Sequence, residues 1–292
     1  MRVIELSEYG GPEVLRLAER PEPEVAPGRV RVRVAASTIN PVDQAVRAGV
    51  MGEFPKPLVL GWDLAGTVIE ETEGFHAGQR VVGMVPMYAD RQGTYAEVVS
   101  AEPGWLAPLP EDADLVAAAT IPLNALTASQ ALDLLDVHSG QRLLVTGASG
   151  GVGGYAVQLA ARSGIDVVAV ASAGDEDYVA GLGAKEVSAD LPGQRVDAVL
   201  DAGNTGTSLI GAVRDGGVFI AVVPQGVPGA ERGIRTDWVQ VKPDAARLRD
   251  LVTAGLRTRI ADVLPLVDAA EAHRRAAARG LRGKLVLRVS RG

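Results

Sequence analysis

The chain has 292 residues, 47% of them hydrophobic and 22% charged, with a net charge of −7 and no cysteine. The lack of cysteine excludes disulfides, thiolate zinc sites and a cysteine nucleophile. The acidic balance gives no general field for a phosphate backbone, so nucleic acid is not an expected partner, and no apolar run approaches the roughly 18 residues of a membrane span. The opening MRVIELSEYGG lacks the apolar segment of a secretory signal, which leads to the expectation of a cytoplasmic protein.

From Arg2 to about Ala118 the pattern is of short strands punctuated by glycine and proline. Val30, Val32 and Val34 alternate with Arg31 and Arg33, the period of a strand with one wet face. Further strands are expected at 59–60, 65–70, 80–85 and 95–100, which together suggest a small antiparallel β-barrel. From Leu115 the rhythm changes. A helical stretch is followed by strands LLV (143–145), DVVAVA (166–171), AVLD (198–201) and VFIAVV (218–223), alternating with helical segments, as in a doubly wound parallel sheet. The VFIAVV strand is expected at the sheet's edge, where pairing with a second copy would cover it. A helix from Asp268 to Arg279 and a last strand, GKLVLRV, are expected to return to the first domain.

The stretch LLVTGASGGVGGYAVQLAARSG (143–164) reads as buried strand, glycine-rich turn and helix. Ala148, Gly150 and Gly153 stand at the spacing of the dinucleotide fingerprint, with alanine in its first place, and Gly147, Gly151 and Gly154 add freedom. Such glycines permit a tight turn, approach of backbone to a pyrophosphate, and close packing of helix on strand. Ser149, Gly150, Gly151, Val152 and Gly153 are therefore expected to contact the nucleotide. Ser172 follows the second strand of this set, about where an acid would bind the ribose diol of NAD; the missing acid leans toward NADPH. Asp175, Glu176 and Asp177 come next, however, and carboxylates repel a 2′-phosphate, so NADH stays open.

These motifs, together with NPVDQAVRAG (40–49), LGWDLAG (60–66), GTYAEVV (93–99), IPLNALTASQAL (121–132) and RGKLVL (282–287), resemble the zinc-free quinone oxidoreductases, the zeta-crystallin-like branch of the medium-chain dehydrogenase/reductase superfamily. The resemblance implies an α/β protein. A GroES-like β-barrel catalytic domain (1–118 and 262–292) would enclose a Rossmann domain (119–261), with NADPH bound between them and a homodimeric assembly. It also implies cofactor contacts from Asn40, Thr127, Gly203, Val222, Val223 and Lys284, besides the glycine-rich turn.

No metal site is expected, since the positions resembling the zinc ligands of relatives carry Ile39 or Asn40, and Trp62 with Asp63. The histidines, at 76, 138 and 273, are too scattered in sequence to suggest a ligand pair, and read as surface or helix residues. Without a Lewis acid, hydride is best accepted where the resulting charge is already delocalised, in a quinone or an α,β-unsaturated carbonyl. Asn40 is then the expected neutral donor to a developing oxyanion, Asp43 either a catalytic neighbour or a helix-capping residue, and Tyr88 a candidate proton donor. Tyr95 reads as core. Two other readings stay open: a biosynthetic enoyl reductase acting on a polyketide-like or carrier-bound substrate, and a non-catalytic NADPH-binding protein.

Overall fold

The computed structural model describes residues 1–289 apart from 73, 91, 192 and 279. Its chain divides into two units, one made of Met1–Leu123, Lys242–Gly255 and the chain from Arg259, the other of Asn124–Val241 and Leu256–Thr258. In chain order the first elements are β1 (Arg2–Leu6), β2 (Leu15–Glu19), β3 (Val30–Thr38), α1 (Pro41–Arg47), β4 (Leu58–Val59), β5 (Asp63–Val68), β6 (Arg80–Met84), α2 (Met87–Asp90), β7 (Val98–Ala101) and β8 (Leu106–Pro108). Next come α3 (Leu115–Ala118), α4 (Pro122–Leu135), β9 (Arg142–Thr146), α5 (Gly151–Arg162), β10 (Asp166–Val170), α6 (Glu176–Ala180) and β11 (Glu186–Ser188). The chain goes on through β12 (Val196–Asp201), β13 (Val213–Ala221), β14 (Arg235–Trp238), α7 (Ala245–Thr253), β15 (Ile260–Pro265), α8 (Ala269–Ala277) and β16 (Lys284–Arg288). Arg279, the expected end of the last helix, lies outside the described residues.

In the first unit β3 is the spine. Its valines at 30, 32 and 34 are fully buried while Arg33 is exposed and Arg31 reaches Glu70, so the polar face of the alternation is the wet one. From Val34 to Thr38 every residue is buried, because β3 there has β16 as an antiparallel neighbour. The larger sheet runs β15-β16-β3-β5-β6-β8, with β7 also on β3, and a smaller sheet runs β2-β1-β4. All these pairings are antiparallel except β15 with β16. The return to this unit, expected at 262, comes already at Lys242, because α7 buries Leu248 and Leu251 and lies against β8.

The second unit is a six-stranded, all-parallel sheet of order β11-β10-β9-β12-β13-β14. Leu144, Val168, Val199 and Phe219 are buried at its centre, as near-continuous apolar strands covered on both faces require. Successive strands run outward from β9 in both directions, so the order reverses between β9 and β12, and ligands of such sheets bind outside the carboxyl ends of the strands at that point. The expectation that residues 218–223 form an edge is corrected: β14 pairs with Val218–Ala221 and covers them. The sequence RTDW has no apolar run to announce a strand, so this edge is not legible in the sequence.

Candidate functional site

The turn after β9 sits at the point of strand reversal. Thr146, the last residue of β9, is in register with Asp201 at the end of β12, and its hydroxyl donates to Asp201 Oδ1 at 2.6 Å. Thr146 Oγ1 in turn accepts the N–H of Gly203 at 3.0 Å, while Asp201 accepts the N–H groups of Thr205 and Gly206 at 3.0 and 2.8 Å. The two turns are thereby tied together. Gly147 has φ +59, and a Cβ on it would lie 2.8 Å from Gly203 Cα; one on Gly153 would lie 2.3 Å from the carbonyl oxygen of Gly147. Helix α5 begins at an N-cap, Gly150, that supplies no side-chain cap, so its first-turn N–H groups keep their partial positive charge for a ligand. These features fit a pyrophosphate against the turn and the start of α5.

Other residues expected near a nucleotide are spread along this unit. Ala148 is buried and bonded to Val170 O, and Asn124, one turn before Thr127 on α4, has its side chain beside Gly151. Ser172 is exposed after β10, and Val222 and Val223 follow β13 half-buried. Of the acids that weighed against NADPH, Asp175 is buried, and Glu176 accepts the N–H of Gly174 at 2.8 Å, so that both are committed locally. Gly174 has φ +83.

In the first unit a buried polar network joins the end of β3, the start of α1, the start of β5 and the start of β16. Asn40 caps α1: Asp43 Oδ2 accepts its N–H at 2.9 Å, and Asp43 Oδ1 accepts the N–H of Gly61 at 2.9 Å. Asp63 Oδ2 accepts Asn40 Nδ2 at 2.8 Å and the Thr38 hydroxyl at 2.5 Å, and its Oδ1 accepts the N–H of Leu123 at 2.7 Å. Lys284 Nζ donates to Asn40 Oδ1 at 2.6 Å and to Ile39 O at 2.8 Å. All of these side chains are buried.

This arrangement changes what Asn40 can do. Its two amide hydrogens go to Asp63 and, at 3.3 Å, to Thr38 Oγ1, which leaves none for the substrate oxygen it was expected to meet. Asp43 takes the capping role that the sequence left open. Burial lowers the pKa of the Lys284 ammonium, against the pull of Asp63 and Asp43. It raises the Asp63 carboxyl, against Lys284 and three hydrogen-bond donors. Lys284 is thus already engaged by this network rather than held open for a nucleotide.

Beside the network Tyr95, fully buried as expected of a core residue, places its hydroxyl 3.3 Å from Nε2 of His273 and 3.4 Å from Thr38 O. His273 is fully buried too, so it is no surface residue, and its Nδ1 has no hydrogen-bond partner. Only the fold brings it to Tyr95, 178 residues earlier. Tyr88, by contrast, is 40% exposed, stacked on Phe54 at 5.1 Å and edge-on to Trp62 at 5.0 Å. Burial and the charge of Asp43 push its hydroxyl up to about 12.

Two buried groups give opposing pH dependence. Burial, with the neighbouring Asp63, pushes Asp43 up to about 7, so the folded state holds a proton that the unfolded state releases near 4; this contribution stabilises on acidification from about 7 to 4. Burial and the Arg47 charge push His273 down to about 3, so between about 6.5 and 3 the unfolded state binds the extra proton and stability falls. Replacing His273 with Phe removes only the second effect. Relative to wild type, H273F should gain about 2 kcal/mol between pH 6.5 and pH 5 in chemical denaturation; parallel curves for the two proteins would show that His273 is not held neutral.

The fold so described is a GroES-like barrel interrupted by a Rossmann-type sheet. Residues 26–111 match the family described as "Alcohol dehydrogenase GroES-like domain", and residues 173–287 the one described as "Zinc-binding dehydrogenase". The chain is 31% identical over 255 residues to an "NADPH-dependent alkenal/one oxidoreductase, chloroplastic" of Arabidopsis thaliana, covering 81% of this chain and 66% of that one. It is 30% identical over 245 residues to the "Trans-enoyl reductase himH" of Aspergillus japonicus, covering 71% and 69%. Among solved structures, the quinone oxidoreductase from Coxiella burnetii superposes with a TM-score of 0.89 at 28% identity, over 99% of each chain. The chain spans just under two thirds of the Arabidopsis protein's length, and 60 to 64% of two other curated relatives it matches. It belongs to the medium-chain dehydrogenase/reductase superfamily, in its quinone oxidoreductase branch. Despite the wording of the second family description, the chain has no cysteine, and no three His, Asp or Glu among the described residues are grouped to hold a metal. Nor is any helix among them long and apolar enough to cross a membrane.

Proposed function

We propose that this protein is an NADPH-dependent reductase that delivers hydride to a quinone or an α,β-unsaturated carbonyl without using a metal. The observation that carries the reading is the backbone-walled turn at the strand reversal, leading into an α5 that no side chain caps. The names of the related alkenal/one and quinone reductases agree with it. When bound, the nicotinamide supplies hydride. The protein's own part is to hold the pyrophosphate on Ser149–Gly153, to meet the ribose near Ser172, and to line the remainder from Thr127, Gly203, Val222 and Val223. A biosynthetic enoyl reductase is the second reading, favoured by the likeness to the Aspergillus trans-enoyl reductase. A homodimer whose contact is not the edge of β13, since β14 covers it, and residence in the cytoplasm belong to the same proposal.

Oxidation of NADPH is to be followed with 1,4-naphthoquinone, a 2-alkenal and an enoyl thioester. Turnover with the first two supports the proposal, turnover with the thioester alone supports the second reading, and tight NADPH binding without any turnover supports a non-catalytic role. NADPH should bind more tightly than NADH, by less than a dedicated cation would give. A cation placed at 174 would meet the left-handed backbone of Gly174 and lose about 1 kcal/mol or more to strain. Arginine at the exposed neighbour Ala173 avoids that. Ala173→Arg should raise NADPH affinity about tenfold and leave NADH unchanged, since a guanidinium grips the 2′-phosphate by charge-assisted bonds. Equal gains for both cofactors would show that the 2′-phosphate is not read there.

A further inference from the structure

Among the described residues a few buried side-chain atoms have no hydrogen-bond partner, and one of them is Nε1 of Trp62. Trp62 is only 6% exposed. A buried N–H left without an acceptor costs about 1–3 kcal/mol, so a fold that keeps one calls for an explanation. The residue is held firmly on both sides. Gly61 gives its N–H to Asp43, Asp63 is the centre of the polar network, and Trp62 O accepts the N–H of Val85 at 2.7 Å. Of the other unpaired atoms, Nδ1 of His273 lies on a fully buried residue. Trp62 instead borders aromatic surface that solvent reaches: its ring meets the edge of Tyr88 at 5.0 Å and 78°, and Tyr88, 40% exposed, stacks on Phe54 at 5.1 Å and 15°. The unsatisfied donor thus belongs to a ring that packs T-shaped beside this stacked pair.

We propose that the indole N–H of Trp62 receives the carbonyl oxygen of a flat conjugated substrate whose ring or enone plane lies against Tyr88 and Phe54. This deepens the reductase reading and rests on it. Hydride delivered to the conjugated carbon, as the reductase reading requires, would form a C–H bond there and move the π electron pair onto that oxygen. The N–H would then stabilise the resulting enolate, which water protonates; from a quinone, the carbon that gained hydride then gives up a proton to solvent as the ring becomes the hydroquinone. Trp62 thus takes the role that the engaged amide of Asn40 cannot fill. A site with a preformed N–H also discriminates against a flat hydrocarbon that lacks the carbonyl, because the donor would stay unpaired.

The chain has three tryptophans, Trp62, Trp105 and Trp238, so protein labelled with ¹⁵N-tryptophan gives three indole N–H signals, and Trp62→Phe identifies the first. Should that variant fail to fold, Trp105→Phe and Trp238→Phe make the assignment by elimination in otherwise native protein. Adding 1,4-naphthoquinone should move the Trp62 signal downfield, whereas naphthalene, of the same shape without carbonyls, should not. Trp62→Phe should lower kcat/KM for the quinone about 100-fold, the range for losing one donor to a developing anion, while NADPH affinity stays within twofold. If wild-type protein reduces naphthoquinone but its Trp62 signal is unmoved, or the variant keeps full kcat/KM, this inference falls and the reductase reading stands. If wild-type protein neither binds nor reduces quinone or enone, both fall together.

Discussion

Replacing Lys284 with methionine should lower stability by about 3–5 kcal/mol, the scale of removing one partner from a buried charge pair. Methionine keeps the length and apolar stem of the side chain but takes from Asp63 and Asp43, both fully buried, the Lys284 ammonium that offsets their charge. Asn40 Oδ1 and Ile39 O lose their donor at the same time. For a chain of this size that corresponds to roughly 10 °C in Tm. Adding Asp63→Asn to the methionine variant should recover part of the loss, since it removes one uncompensated charge while keeping an oxygen for the N–H of Leu123. A methionine variant as stable as wild type would mean that the lysine contributes no net charge pairing and that the carboxylates are neutral in the fold.

The second large effect is expected at Gly153. A Cβ there would lie 2.3 Å from the carbonyl oxygen of Gly147, 2.7 Å from its carbon and 3.0 Å from Ala148 Cα. All three are backbone atoms, so no side-chain rotation relieves the clash and the turn itself must move. Gly153→Val should therefore weaken NADPH binding at least 100-fold, about 2.7 kcal/mol, measured by calorimetric titration. Far-ultraviolet circular dichroism close to that of wild type would separate this from unfolding, because the sheet does not depend on the turn's path. Affinity within a few fold of wild type would show that the nucleotide is held elsewhere.

What could be read from the sequence was what is local. The alternation of Val30, Val32 and Val34 with arginines announces β3, and five glycines within 147–154 announce a turn that backbone must approach closely. What escaped is long-range. Lys284 and Asn40 are 244 positions apart, and nothing near either says that an ammonium will meet that amide; hence Asn40 was read as a free donor. His273 sits in an alanine- and arginine-rich helix of strongly polar composition, and its burial against Tyr95 follows only from how α8 docks on β15 and β16. Trp62 is legible in the sequence as a residue standing in place of a zinc ligand, but its unpaired N–H is a property of the packed state and is not. Strand β14 is not legible in the sequence because its neighbour β13, not its composition, makes it a strand.

The placement of β16 carries a consequence for how the protein is made. During synthesis the second unit, continuous from Asn124 to Val241 but for three residues, can close as soon as it leaves the ribosome. The first unit cannot. Until residue 284 emerges, β3 lacks its β16 neighbour at Ala36–Thr38, and Asp43 and Asp63 lack the Lys284 ammonium. A nascent chain halted between about 250 and 280 therefore holds every strand of the second unit's sheet, while the larger sheet of the first still lacks β16 and its lysine.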